Sequence, residues 1–222
     1  MPDESTRLID LSHTVEDGMI TYKGLPAPIV CDYLSRAESR ARYAPGTEFQ
    51  IGRIDMVANT GTYVYAPFHR HEHGKDLSEL ALESLANLDC VVMRTTQRRA
   101  RAIDSAPADA ELRGKAVLFH TGWDAHWRTD QYFEGHPYLT GALAERLRDA
   151  GVALVGIDSF NIDCTDDGER PVHSTLLGAE IPIVEHLRGL DALPDIGARF
   201  YGVPVKVKGM GTFPVRAFAR LT

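Results

Sequence analysis

His69, His71 and His73 alternate along the chain with Arg70 and Glu72, and alternating residues of an extended segment share one face. An imidazole can take up or release a proton near neutral pH, so such residues suit acid–base chemistry. His173 and Glu185 are twelve residues apart; brought together by a fold, the carboxylate would orient the ring and favour its imidazolium form. Tyr22, Tyr63 and Tyr65 add phenol groups able to line an aromatic pocket and to donate to a developing oxyanion. Each of these residues also has a purely structural reading. His69 could bond a loop, and His71, Glu72 and His73 could be hydrated loop residues. His173 and Glu185 could be a buried polar pair, and the tyrosines could simply fill volume.

Other clusters point away from familiar sites. Asp158, Asp163, Asp166 and Asp167 suggest calcium, but Asp163-Cys164-Thr165-Asp166-Asp167-Gly168 lacks the terminal Glu spacing of an EF-hand, so these residues read as loop polarity. Glycines in residues 205–211 follow neither a P-loop nor a dinucleotide pattern, since no strand-to-helix context follows them. Cys31, Cys90 and Cys164 are odd in number and form no C-x-x-C pair, which predicts buried free thiols. A net charge of −7 argues against a nucleic-acid partner, which needs a clustered basic face. The one basic cluster, residues 98–101, reads as a solvated turn. No apolar run approaches the roughly 20 residues of a spanning helix, so no membrane partner is expected. Residues 1–7 lack the basic and apolar stretches of a secretory signal, which predicts a cytoplasmic protein.

These residues need elements to hold them. Short runs with strand character occupy residues 8–11, 29–33, 49–57, 90–94, 116–120, 153–157, 200–207 and 215–219. Residues 140–150 predict a helix, with Thr140 as its cap, Leu143 and Leu147 on one face, and Gly151 as its stop before the apolar run 152–157. A helix followed by a buried strand is an α/β signature. A second short helix is expected over residues 181–187. Residues 59–76, 124–139 and 158–171 read as long loops, where sites are often built. The absence of repeats and linkers makes residues 1–222 one domain, a length at which a sizeable core can form.

The segment Asn59-Thr60-Gly61-Thr62-Tyr63-Val64-Tyr65-Ala66-Pro67-Phe68-His69 resembles the motif H-x-G-T-H-x-D-x-P-x-H of the cyclase family, which includes kynurenine formamidases and isatin hydrolases. Residues 171–177 and 181–187 resemble the second family signature, in which a His and a Glu twelve residues apart complete a metal site, here His173 and Glu185. Residues 120–123, 136–139 and 155–159 are also similar to family segments. Met19 to Pro26 resembles an early loop whose aromatic, here Tyr22, lines the substrate pocket. The resemblance implies a compact α/β domain of swivelling β/β/α-like type, a mixed sheet with flanking helices. It also implies a small-molecule substrate, a homodimer or larger homo-oligomer, and a proton-transfer role for His69.

The departures matter equally. Where metal-dependent members of the family place two histidines and an aspartate on zinc or manganese, this chain has Asn59, Tyr63 and Tyr65. Zinc takes imidazole, thiolate or carboxylate ligands at about 2.0–2.3 Å, whereas Asn is neutral and a phenol must first lose a proton with a pKa of about 10. Only His173 and Glu185 remain as conventional ligands, so no cofactor is expected. The reading that follows is a cyclase-family enzyme acting on a small aromatic or cyclic substrate, by hydrolysis of an activated amide or lactone or by acid–base cyclisation. His69, His173 and Glu185 would be catalytic, with Tyr22, Asn59, Tyr63 and Tyr65 binding substrate. Two alternatives stand beside it: a non-catalytic ligand-binding relative, and a metal-dependent arylformamidase with a rearranged ligand shell.

Overall fold

The computed structural model describes residues 7–105, 112–166 and 168–221. Most of the polar start of the chain and Asp167 of the acidic loop lie outside the described residues. In chain order the strands are β1 (Leu8–Asp10), β2 (Ile29–Leu34), β3 (Ile51–Asp55), β4 (Tyr63–Tyr65), β5 (Leu88–Arg94), β6 (Ala102–Ile103) and β7 (Ala116–His120). They continue with β8 (Tyr138–Leu139), β9 (Leu154–Ile157), β10 (Ile183–Glu185), β11 (Ala198–Tyr201), β12 (Thr212–Pro214) and β13 (Phe218–Leu221). The helices are α1 (Arg36–Arg42), α2 (Gly141–Ala150) and α3 (Pro171–Gly178).

Nine strands form one mixed sheet in the order β1-β13-β11-β5-β7-β9-β10-β4-β12. Its centre, β5-β7-β9-β10, is parallel, and antiparallel strands extend it on both sides. Strands covered on both faces read as continuous apolar runs, as β7 and β9 do. Alternation along each strand then divides the side chains between two cores. Leu118, Val184 and Val64 enter one of them. Val117, Phe119, Tyr63, Tyr65 and Ile183 enter the other, where Leu143 and Leu147 of α2 and Leu176 of α3 pack. The fold is therefore α/β, a mixed sheet with flanking helices.

Helix α2 follows its sequence signals: Thr140 accepts a hydrogen bond from the Leu143 N–H, and Gly151 ends the helix at φ 72°. The expected helix over residues 181–187 is instead strand β10, lodged between β9 and β4. A short apolar run does not distinguish the two states by periodicity, and the β-branched Ile183 and Val184 suit a strand buried on both faces. Residues 59–76 are not a continuous loop, because β4 and a 3-10 turn, Pro67–His69, interrupt them. Helix α3 begins at the end of the loop expected over residues 158–171; Pro171 supplies the fixed φ favoured in a first helical turn. Strand β11 stops at Tyr201, and beyond it Pro204 makes only an isolated bridge to Val215. Of the strand expected over residues 215–219, only Phe218 and Ala219 lie in one, β13, while β12 ends before it at Pro214. Of the three free cysteines, Cys90 is buried, Cys164 is half-buried and Cys31 is exposed on the separate β2–β3 ribbon, contrary to the expectation of three buried thiols. No helix among the described residues is long and apolar enough to cross a membrane.

Candidate active site

Strand pairing assembles the first part of the site. Glu185 of β10 lies opposite Tyr63 of β4, and Ile183 opposite Tyr65. Since residues two apart on a strand share a face, Tyr63, Tyr65 and Glu185 all point to the side of the sheet that α3 covers. Both phenols donate to Glu185 Oε2, Tyr65 at 2.8 Å and Tyr63 at 3.1 Å, with the two hydroxyl oxygens 3.0 Å apart. Glu185 Oε1 accepts from the backbone N–H of Ile162 at 2.6 Å. Glu185 has no exposed surface, and its burial raises the pKa, a push opposed by His173, the Ile162 N–H and the two phenols.

Helix α3 contributes His173. Its N-cap position is Arg170, which has no side chain suited to capping, and Asp163 takes over that task from the preceding loop. Asp163 Oδ1 accepts from the Val172 N–H at 2.8 Å and Oδ2 from the His173 N–H at 3.0 Å. The same Oδ2 lies 2.6 Å from His173 Nδ1. An Asp carboxylate can only accept, so Nδ1 carries the proton. His173 Nε2 is left buried without a hydrogen-bond partner, 3.7 Å from Glu185 Oε1.

A cavity of about 590 Å³ opens beside this group. Buried Tyr65, Asn161 and His173 form its floor, and exposed Lys23, Leu25, His69 and Arg70 its rim. Tyr22 forms one wall, with its ring 4.3 Å from that of Phe160 and its hydroxyl accepting from Asn161 Nδ2 at 3.1 Å. Burial raises the Tyr22 pKa. Asn59 lines another wall; its Oδ1 accepts from Thr212 at 3.0 Å, and its side chain also hydrogen-bonds the Tyr63 phenol. Tyr63 is wholly buried behind this lining. Its partner on the far side is His186, whose Nε2 is 3.3 Å from Tyr63 Oη while Nδ1 is 2.8 Å from Tyr132 Oη. Because the Tyr63 proton goes to Glu185, His186 Nε2 donates to Tyr63 and Nδ1 accepts from Tyr132. Burial holds His186 well below its ordinary pKa.

His69 ends the Pro67–His69 turn at the cavity rim. The residue is exposed, but its ring is flanked by Tyr65 at 4.6 Å and His173 at 6.0 Å between centroids. Burial of the ring, with the charges of His173 and Arg70 adding to it, lowers its pKa to about 4. Gly211 makes this placement feasible, since a Cβ there would lie 2.5 Å from His69 N. His71 and His73 do not share the face of His69, because the segment is not extended. His71 turns to the Ser174 carbonyl, with Nε2 at 3.2 Å, and His73 is exposed.

A zinc or manganese ion does not fit this donor set. Among the described residues no three His, Cys, Asp or Glu side chains converge on one point. Tyr63 and Tyr65 are held well above the ordinary phenol pKa by burial and then by the Glu185 charge, which opposes phenolate ligation. Asp163 is engaged with α3, and Asp158 accepts from Thr121 and Gly122. Sequence reasoning saw Asp163 only as loop polarity, and overlooked Asn161, His186 and the arginines at the cavity. One signal for Asp163 was available: a helix opening Arg170-Pro171 lacks its own capping side chain.

Residues 9–164 match the Cyclase family model. The chain is 24% identical to a kynurenine formamidase of Bacillus anthracis, over 98% of this chain and 99% of that protein. It superposes with a TM-score of 0.79 and 26% identity on a structure described as a potential metal-dependent hydrolase with cyclase activity, covering 98% of each chain. An isatin hydrolase bound to the product analogue thioisatinate superposes with a TM-score of 0.81 at 18% identity, covering 98% of this chain and 93% of that one, a likeness of fold.

Proposed function

Since the chain belongs to the cyclase family, we propose that it hydrolyses an activated amide or lactone in a small aromatic or cyclic substrate, and that it does so without a metal ion. The observation that carries this reading is the His173 ring, fixed through Nδ1 by Asp163 with an unpartnered Nε2 beside the cavity. The family match and the kynurenine formamidase relatives favour attack on a carbonyl; the donor set favours acid–base chemistry over ion chemistry.

In this mechanism His173 Nε2 removes a proton from water as its oxygen adds to the substrate carbonyl. The imidazolium gains support from the Asp163 carboxylate. The Asn59 amide donates to the oxygen that accumulates charge. Collapse of the tetrahedral intermediate breaks the C–N or C–O bond, and the proton on Nε2 passes to the departing atom. His69, neutral at pH 7, accepts a hydrogen bond at the rim and orients water or the leaving group. Tyr63 and Tyr65 hold Glu185 in place, and Tyr22 presents its ring to the substrate. General acid–base groups give about 10²–10⁴ and an oxyanion donor about 10²–10³ in rate. That scale suits strained rings and activated acyl groups better than ordinary amides.

The test is turnover of aryl formamides, aryl lactones and cyclic imides by chelator-treated protein, alongside the His173→Gln variant. Hydrolysis that survives chelation and collapses in the variant is expected. Silence across the panel, activity restored only by zinc or manganese, or a fully active variant would each refute the reading.

A further inference from the structure

The tripeptide Asn161-Ile162-Asp163 reaches three side chains of the site. The Asp163 carboxylate holds the His173 ring, the Ile162 N–H donates to Glu185, and the Asn161 side chain meets Tyr22. The orientation of the Asn161 amide follows from its neighbours. The Asp163 N–H can only donate and lies 2.9 Å from Asn161 Oδ1, so the oxygen of this buried amide is engaged and Nδ2 is the atom facing Tyr22. Tyr22 Oη accepts from that Nδ2 at 3.1 Å, and its own proton is left to give. Among the described residues the Tyr22 O–H has no acceptor. Tyr63 and Tyr65, by contrast, spend their protons on Glu185. Since Tyr22 and Asn161 both line the cavity, and the phenol feels the charge of Glu185, the free proton stands at the cavity wall near the floor.

We propose that the Tyr22 hydroxyl, oriented by Asn161, is a catalytic donor to the carbonyl oxygen of the substrate. This deepens the hydrolytic reading of the same cavity and rests on it for the reaction. A fixed donor aimed where charge develops lowers the barrier because it needs no reorganisation during the step. Tyr22 meets that condition twice: Asn161 holds its oxygen, and its ring packs against Phe160 with centroids 4.3 Å apart. Burial raises the Tyr22 pKa, so the phenol keeps its proton. The hydrogen bond strengthens as water adds and the carbonyl oxygen gains charge, and it relaxes when the C–N or C–O bond breaks. Asn161 acts through Tyr22 and is a positioning residue. The same short segment therefore sets the base, through Asp163 and His173, and the donor, through Asn161 and Tyr22.

Acetophenone, an aromatic carbonyl compound with no bond to hydrolyse, reports the donor without any reaction. We expect its carbonyl stretch, read by isotope-edited infrared spectroscopy, to lie lower in the unaltered protein than in Tyr22→Phe. Asn161→Asp should match Tyr22→Phe, because a carboxylate only accepts and draws the phenol proton to itself. On the panel member that the unaltered protein cleaves fastest, Tyr22→Phe should lower kcat by about 10²–10³ with KM little changed. Adding Asn161→Asp to Tyr22→Phe should cost nothing more, since both act on one hydrogen bond. Acetophenone that does not bind, a carbonyl band at the same place in the unaltered protein and Tyr22→Phe, or a raised KM with kcat intact overturns the proposal. Additive losses with an unmoved band in Asn161→Asp overturn the role of Asn161. A band shift that depends on Tyr22, with the whole panel silent, removes the hydrolytic reading and leaves the donor standing. A panel cleaved equally by the unaltered protein and Tyr22→Phe does the reverse.

Discussion

Asp163 Oδ2 meets two hydrogen-bond donors of His173 at once, the backbone N–H at 3.0 Å and the ring Nδ1 at 2.6 Å. One oxygen thereby fixes the start of α3 and the tautomer of the imidazole that this helix carries. Structural and chemical roles are joined in a side chain with no exposed surface.

Replacing Asp163 by Asn tests that joint role. The amide can keep one acceptor for the helix N–H groups but offers no charge to an imidazolium. A fall in kcat of about 10²–10⁴ is expected, the range for a disabled acid–base group, with a smaller loss of thermal stability. Steady-state kinetics and thermal unfolding of one preparation check it; equal losses in Asp163→Asn and in a distant helix-cap variant such as Thr140→Ala would contradict it.

Tyr65→Phe removes the 2.8 Å donor to buried Glu185. Such a loss destabilises by about 1–3 kcal/mol. The Glu185 pKa is already raised by burial, so the folded state holds this proton more tightly than the unfolded chain does, and its contribution to stability declines as pH rises through the folded value. The variant raises that pKa further and steepens the decline. Urea unfolding across the acidic-to-neutral range reads the slope, and parallel profiles for the two proteins would count against it.

The protein purified without added metal is expected to carry no stoichiometric zinc or manganese. The triple variant Asn59→His, Tyr63→His, Tyr65→Asp places ligands beside His173 and Glu185, and it should retain zinc through gel filtration. Elemental analysis decides both halves. A tightly held ion in the unaltered protein is the damaging result.

Gly211→Ala would bring a Cβ to 2.5 Å from His69 N and 2.6 Å from its Cα, where backbone must move. Overpacking of this kind costs about 1–3 kcal/mol. Activity should fall by more than stability explains, since His69 is displaced from the rim. Activity measured well below the melting temperature separates the two effects.

His69 should titrate near pH 4, far below an ordinary histidine. Below the unfolded value of about 6.5 the unfolded chain takes up a proton that the folded state resists. The His69 contribution to stability is therefore complete above that value and declines as pH falls toward 4. NMR titration of the ring, assigned by comparison with His69→Gln, reads the midpoint directly, and a midpoint near 6.5 would rule out a ring desolvated by its neighbours Tyr65 and His173.

The sequence by itself determined the family frame, the α/β class, the capped helix α2 and the identity of most polar groups around the cavity. These follow from local chemistry: a cap, a stop glycine, apolar runs, and a motif whose Gly61, Thr62, Pro67 and His69 stay in register. Tertiary structure alone decided the partners. Within residues 181–187, Ile183–Glu185 became a strand because β9 and β4 offered hydrogen bonds on both edges, which no window of sequence displays. Tyr63 and Tyr65 turned to Glu185, more than a hundred residues away, because strand register put them on one face. Asp163 was assigned to His173 by an uncapped helix end that needed an acceptor. Hydrogen bonds and charges act through space, so spacing along the chain could name the groups, but only packing could pair them.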